Sequence, residues 1–164
     1  MIRLPLFIIV IFLGCSSNNK DKSVEIIIED AQSYKYDLKK EVYTIFYTDK
    51  VPTEIKFDLS KEEKDKIAEK YYDLRINKIS GNDKRSKSIY IEDDCMIMPK
   101  LFTKIHLRTK DNLQEIKIDE GCNNFKFSNN NKAKRIKEFI QFVKQIVKSK
   151  PQIKNAAESN IIYM

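Results

Sequence analysis

The feature that most constrains the fold is an apolar stripe with helical spacing between residues 132 and 150. Six apolar side chains recur there every three or four residues, which is typical of a helix that buries one face. They are Ile136, Phe139, Ile140, Val143, Ile146 and Val147. Pro151 has no amide hydrogen and cannot continue this helix. Burial of the six side chains against a sheet contributes on the order of 10 kcal/mol, so the helix is predicted to be integral to the fold.

A second helix is predicted after Ser60, where residues 60–63 read Ser-Lys-Glu-Glu. This spacing matches a capping box, in which the serine oxygen and the glutamate carboxylate each accept a hydrogen bond from a backbone amide that would otherwise be unpaired. Ile67, Tyr71 and Leu74 then fall on one side of the helix. The segment is therefore predicted to be a shorter amphipathic helix.

The first group of strands is predicted before this second helix. Residues 24–29 are rich in β-branched side chains, and residues 41–48 alternate cleanly between two faces. A third, short strand is predicted around Ile55 and Phe57. The connections are too short for helical crossovers, so these strands are predicted to form an antiparallel meander.

The second group of strands lies between the two helices. Residues 89–91 are predicted to be a short strand, and residues 100–108 alternate between apolar and polar side chains. A return strand containing Ile116 and Ile118 completes a hairpin. The whole pattern predicts an α+β fold, a two-layer sandwich in which an antiparallel sheet of two hairpin or meander groups carries two amphipathic helices on one face.

The first fifteen residues have the pattern of an export signal. Arg3 precedes an apolar run that is too short to span a bilayer, and the run ends at Gly14 followed by Cys15. The segment Phe-Leu-Gly-Cys at 12–15 resembles the lipobox of bacterial lipoproteins, and the resemblance covers residues 1–15 only. It implies that the leader is removed and that Cys15 is acylated and becomes the first residue.

This resemblance implies a division of the chain into three parts. Residues 1–14 are a signal peptide, residues 15–23 are the lipidated cysteine with a polar tether, and residues 24–164 are a single α+β domain of sufficient length to bury one core. Ser16 stands where an aspartate retains some lipoproteins in the inner membrane. The predicted location is therefore the bacterial cell envelope, anchored by lipid in the outer membrane.

The charge of the chain favours anionic partners. Without the leader it has 30 basic and 24 acidic residues, and the segment 132–154 carries eight basic residues against one acid. A possible binding surface is assigned to Lys134, Arg135 and Lys144, with an acidic protein or anionic lipid headgroups as the partner. The alternative is a solvated helix face that binds nothing. Nucleic acid is not expected as a partner outside the cytoplasm.

The three cysteines are informative in an exported chain. If Cys15 carries lipid, Cys95 and Cys122 remain, and an even number predicts a disulfide between them. The alternative is a pair of buried thiols. Neither a metal site nor a cofactor is predicted, because two cysteines and the single His106 cannot supply four zinc ligands at a known spacing, and the acidic residues beside the cysteines lack a calcium-loop pattern.

No set of residues in the sequence has the pattern of a catalytic site. His106 shares a strand face with Lys104 and Arg108, which predicts a solvent-facing position. The sequence is therefore interpreted as a lipid-anchored envelope protein that acts as a non-catalytic binding or interaction module. Outward-facing tyrosines such as Tyr43 and Tyr47 are a second possible binding surface. The alternatives are a small envelope hydrolase that uses acidic residues such as those at 93–94, or a purely structural envelope component.

Overall fold

The computed structural model describes residues 23–81, 88–91, 101–119 and 131–161. The strands within these ranges are β1 Glu25–Asp30, β2 Tyr34–Asp37, β3 Val42–Ile45, β4 Thr53–Lys56, β5 Ile89–Ile91, β6 Phe102–Arg108 and β7 Leu113–Asp119. The helices are α1 Lys61–Asp73, α2 Asn131–Lys148 and α3 Pro151–Lys154, and a short 3₁₀ helix, Ile76–Lys78, follows α1.

The predicted α+β class is confirmed. The strands form one seven-stranded sheet in the order β4-β3-β2-β1-β6-β7-β5, with α1 and α2 on one face. The sheet is mixed rather than antiparallel throughout, because β5 runs parallel to β7. Strand β5 does not pair with β6, the next strand in the chain, because β6 pairs with β1 and β7. The direction of β5 is therefore not determined by a hairpin turn. The second strand group is therefore a hairpin with a parallel strand added at its edge.

The first strand group is a meander of four strands, where the sequence predicted three. The additional strand is β2, which pairs antiparallel with both β1 and β3. It follows a tight turn in which Ala31 and Gln32 both have positive φ, and Ser33 N–H donates a 2.9 Å hydrogen bond to the Asp30 carbonyl. Consecutive left-handed residues are the pattern of a type I′ hairpin turn, which usually contains glycine or asparagine.

The core lies between the sheet and the two long helices. Alternate side chains of the central strands point towards the helices, and we call this side the inner face. Its fully buried members include Ile26, Ile28, Ile105, Leu107 and Ile116. The opposite side, the outer face, carries mainly charged and polar side chains. No described α-helix covers the outer face.

Helix α1 begins with the predicted capping box. Ser60 N–H donates to Glu63 Oε2 at 2.8 Å, and Glu63 N–H donates to Ser60 Oγ at 3.2 Å. The same carboxylate accepts from Lys150 Nζ, at 2.7 Å for Oε1, which ties the start of α3 to the start of α1. The hydrogen bond from Lys150 holds the pKa of Glu63 below its usual value, as do the bonds from Ser60.

Helix α2 buries the predicted apolar stripe. Five of its six members are buried and Ile146 is half-buried. The helix ends at Lys148, before Pro151, which lacks the amide hydrogen needed to continue it. Pro151 is instead the first residue of α3. Among the described residues, no helix is both long enough and apolar enough to cross a bilayer.

A buried glutamine joins the helix layer to the sheet. Gln114 on β7 accepts a 2.7 Å hydrogen bond from the Tyr71 hydroxyl of α1. Its Nε2 atom donates to the carbonyl oxygens of Ile76 and Ile79, at 3.0 and 3.1 Å. Burial raises the pKa of Tyr71 to about 12, so this hydroxyl stays protonated and remains a donor at neutral pH.

Candidate functional site

Five of the residues singled out from the sequence lie outside the described ranges. They are Cys15, Cys95, Cys122, Asp93 and Asp94. The lipidation, the disulfide and the hydrolase alternative therefore stay predictions.

The structure separates the three basic residues that were assigned to a binding surface. Lys134 is exposed and forms no ion pair within the described ranges. Arg135 is half-buried, and its Nη1 donates a 3.2 Å hydrogen bond to the Leu74 carbonyl at the end of α1. Arg135 thus satisfies a backbone acceptor that the helix leaves unpaired. It contributes to the fold in addition to any role in binding.

Lys144 also has an internal partner. Its Nζ atom lies 2.7 Å from Asp30 Oδ2, and the two side chains are only 21% and 18% exposed. The other oxygen of Asp30 accepts a 3.1 Å hydrogen bond from Thr103 Oγ1. Burial raises the pKa of Tyr36 and Tyr43 beside this group above the usual tyrosine range, and the Asp30 carboxylate acts in the same direction. The ammonium of Lys144 is thus held at the inner face, between α2 and β1.

His106 lies on the outer face of β6, as predicted. Its Cα is opposite Ile27 on one side and Glu115 on the other, and its side chain is half-buried. Lys104 and Arg108 on the same face are exposed. The described residues contain no group of three or more histidine, cysteine, aspartate or glutamate side chains that could hold a metal ion.

The larger of two concave surfaces formed by the described residues lies where one end of the meander meets the start of β6. It encloses about 560 Å³, within the range of small-molecule sites. We call it the aromatic cleft, because four aromatic side chains line it. They are Tyr34, Phe46, Tyr47 and Phe102.

Polar and charged groups complete the lining of the aromatic cleft. Glu29, Lys35 and Lys104 come from the outer face, and Gln32 comes from the strained β1–β2 turn. Left-handed backbone at a non-glycine residue costs on the order of 1 kcal/mol or more. Ala31 and Gln32 both have this left-handed backbone, and the resulting turn places Gln32 in the lining of the cleft. Strain of this kind concentrates at binding sites, which is why the turn is part of the candidate site.

The C-terminal segment forms another wall of the cleft. Ser159 Oγ donates to the Phe46 carbonyl at 2.7 Å, and Ser159 N–H donates to the Tyr34 hydroxyl at 3.1 Å. Asn160 accepts from Thr48 N–H at 3.1 Å through its side-chain oxygen. These bonds hold the segment across the end of β3, with Ile161 lining the cleft.

The charges of the cleft do not cancel. Lys35 Nζ lies 3.7 Å from a Glu29 oxygen, whereas Lys104 has no carboxylate within ion-pair distance among the described residues. On the next strand, Lys117 lies opposite Lys104 and is paired with Glu115 at 3.3 Å. Lys104 is therefore the lining lysine that has no ion-pair partner in the described part of the chain.

A smaller groove of about 340 Å³ lies between β1 and α1. Its lysines Lys39 and Lys64 are paired with Glu25 and Glu41, at 2.9 and 2.7 Å. The lining also includes Lys61 and Asp65, so its charges do not distinguish it from the aromatic cleft, but this groove lacks aromatic side chains. It is therefore the weaker candidate.

Most of the cleft was not identified from the sequence. Tyr47 was named as one of the outward-facing tyrosines, and it does line the cleft, but Tyr43 points into the core and is only 4% exposed. Tyr34 stacks on Tyr43, with ring centroids 5.8 Å apart. By the alternation of residues 100–108, Phe102 falls on the same strand face as Lys104 and His106, and this was the available signal that it could contribute to a surface.

No protein-family model, curated protein or solved structure matches the chain. The geometry of the aromatic cleft is accordingly the basis for a functional proposal.

Proposed function

We propose that this chain is a lipid-anchored protein of the bacterial envelope, attached through Cys15 to the outer membrane, and that it binds a ligand in the aromatic cleft without catalysing a reaction. The anchor is supported by the short apolar leader and its Gly14-Cys15 junction. The binding role is supported by one observation: four aromatic side chains line a cleft of ligand size, together with a lysine that has no ion-pair partner among the described residues.

The lining of the cleft is suited to holding a ligand. Aromatic rings provide a large apolar contact area at a small cost in side-chain entropy, and a few polar groups determine the orientation of the bound molecule. A hydrolytic site would need a positioned nucleophile or an acid–base pair. Glu29, the one carboxylate of the lining, is paired with Lys35. Retention of a ligand is therefore the favoured role of this site.

The anchor is tested by mass spectrometry of the membrane fraction. We expect a chain that begins at an acylated Cys15, and we expect Cys15→Ser to remain unprocessed. Ser17→Ala is the matched control, because it changes the tether without touching the lipobox. Recovery of an unmodified chain beginning at Met1 from the cytosol would contradict this part of the proposal.

Binding is tested by native mass spectrometry of the full chain purified gently from its own membranes. We expect a non-covalent adduct that Tyr47→Ser loses. The matched control is Leu113→Ser, since Leu113 is a 76% exposed apolar residue outside the cleft. An adduct that both variants retain would place the ligand elsewhere. Turnover of an envelope substrate that Asp94→Asn abolishes would replace the binding role with the hydrolase alternative.

A further inference from the structure

We infer that the ligand of the aromatic cleft is a small molecule with a flat, apolar body and one anionic group, either a carboxylate or a phosphate ester. This inference rests on the proposed binding role and names the chemical class of the ligand. It depends on the side chains that line the cavity and on which of them already have a partner.

The apolar body is inferred from the walls. Tyr34 stands on β2 and Phe102 on β6, and Ile161 adds an aliphatic surface. One side of the Tyr34 ring is covered by Tyr43 at an interplanar angle of 8°, so that the Tyr34 ring is held in a fixed orientation. Lys148 Nζ also lies over this ring, 5.7 Å from its centre, so Tyr34 contributes a fixed wall to the cleft. Flat partners can pack against fixed aromatic walls without ordering further side chains.

The anionic group is inferred from Lys104. Its neighbours across the strands are Glu29 and Lys117, and each of these is within ion-pair distance of a different partner. Lys104 is exposed and has no such partner among the described residues. An anion at Lys104 would neutralise the excess charge of the cleft and would gain a charge-assisted hydrogen bond from the ammonium.

A single anionic group fits the balance of charges better than several. Lys35 and Lys104 contribute two positive charges to the lining, and Glu29 contributes one negative charge. Lys50 is not a lining residue, and its Nζ makes a cation–π contact 3.8 Å from the centre of the Tyr47 ring. One unit of ligand charge therefore completes the site.

The test uses 2-naphthoate as the probe and 2-naphthamide as its uncharged counterpart. Both are titrated calorimetrically into the full chain in nonionic detergent, with protein-free detergent as the blank. We expect 2-naphthoate to bind about fivefold more tightly, the factor that corresponds to one partly solvated ion pair. A third titration with 2-naphthyl phosphate shows whether a phosphate ester or a carboxylate is the better anionic group.

Variants identify the residues responsible. In Lys104→Gln the preference for 2-naphthoate should fall below about twofold, since the variant keeps the length of the side chain and loses its charge. Lys117→Gln is the matched control, because Lys117 lies opposite Lys104 on the same face but outside the cleft lining, and it should retain the full preference. Tyr47→Ser should weaken both probes equally. Circular dichroism confirms that each variant is folded.

Two results would overturn the inference. The first is equal binding of the naphthoate and the amide by the unmodified protein, and the second is a preference that survives Lys104→Gln. If a native adduct depends on Tyr47 while 2-naphthoate does not bind, the ligand class is wrong and the binding role remains. If neither the adduct nor the probes bind, the proposed binding role fails as well.

Discussion

Replacing Gln114 by leucine is predicted to destabilise the fold although it keeps the volume of the side chain. Gln114 makes three hydrogen bonds, one with the Tyr71 hydroxyl and two with the carbonyl oxygens of Ile76 and Ile79. Its side chain is only 7% exposed, so water cannot easily replace them. Leucine fills a similar volume and offers no polar atom. The substitution therefore isolates the loss of polar contacts from the creation of a cavity.

The expected cost follows from the groups that are left behind. A buried donor or acceptor that loses its partner costs roughly 1–3 kcal/mol. Gln114→Leu leaves the Ile79 carbonyl oxygen and the Tyr71 hydroxyl in this position, whereas the Ile76 carbonyl keeps a 3.0 Å hydrogen bond from Ile79 N–H. Taking the lower end of that range for each of the two groups, we expect the free energy of unfolding to fall by about 2 kcal/mol.

The second substitution, Tyr71→Phe, separates the contributions. It removes the hydroxyl, so that Gln114→Leu in this background leaves only the Ile79 carbonyl oxygen without a partner. We expect the cost of Gln114→Leu to be about 1 kcal/mol smaller there than in the unmodified protein. The coupling should appear at neutral pH, where Tyr71 is protonated because its pKa is raised to about 12.

Urea unfolding of the four proteins in the cycle measures these quantities. The midpoints should shift at a constant slope, which indicates that stability and not compactness has changed. Gln141→Leu is the matched control, because Gln141 is exposed on α2 and should change the free energy by less than about 0.5 kcal/mol. A cost below about 1 kcal/mol for Gln114→Leu, or strictly additive effects in the cycle, would refute the reasoning.

Three further predictions concern ionised and oxidised groups. The folded pKa of Glu63 lies below its ordinary value of 4.5, so the stability that ionised Glu63 contributes is complete above pH 4.5 and is lost as the pH falls through the folded pKa. In urea unfolding, Glu63→Gln should therefore be less stable than the unmodified protein at pH 7, and the difference should be much smaller at pH 3. Lys144→Glu places a carboxylate against Asp30 and should destabilise by about 2 kcal/mol, whereas Lys134→Glu should change unfolding by less than about 0.5 kcal/mol, and equal effects would contradict the assignment of Lys144 to the fold. Non-reducing peptide mapping of protein taken from the envelope should recover Cys95 and Cys122 as a linked pair, and alkylation of both thiols without reduction would contradict this.

The elements that the sequence predicted correctly are those determined by local chemistry. The start of α1 depends on Ser60 and Glu63, which are three residues apart, and both hydrogen bonds form. The buried stripe of α2 follows from the 3.6-residue period, and the β6–β7 hairpin follows from alternation and a short turn. In each case the determining residues are close together in the chain.

Strand β2 was missed because its signal is weak. It has only four residues, Tyr34–Asp37, and two of them are charged. Its turn contains Ala31 and Gln32 in place of the glycine or asparagine that would mark a hairpin. Pairing with β1 and β3 forms the strand, and the sequence pattern alone does not contain that information.

The functional residues were harder to predict because their partners are distant in sequence. Periodicity placed Lys144 off the apolar stripe, but it could not reveal Asp30, on the first strand, as its ion-pair partner. The aromatic cleft likewise combines a turn, the end of one strand, the start of another and the C-terminal segment. Its composition depends on the order of strands in the sheet, which a single sequence does not specify.

Strand β4 affects how neighbouring copies of the protein interact when they are close together. It is an edge strand that pairs with β3 and has only four residues. Pro52 immediately precedes it, and two of its residues, Glu54 and Lys56, are charged and exposed. A short, charged edge beside a proline is a poor template for pairing with the edge of another molecule. Under the proposed anchoring, many copies would share one plane and would meet far more often than in dilute solution. The edge at β4 would then keep neighbouring copies from joining their sheets and aggregating.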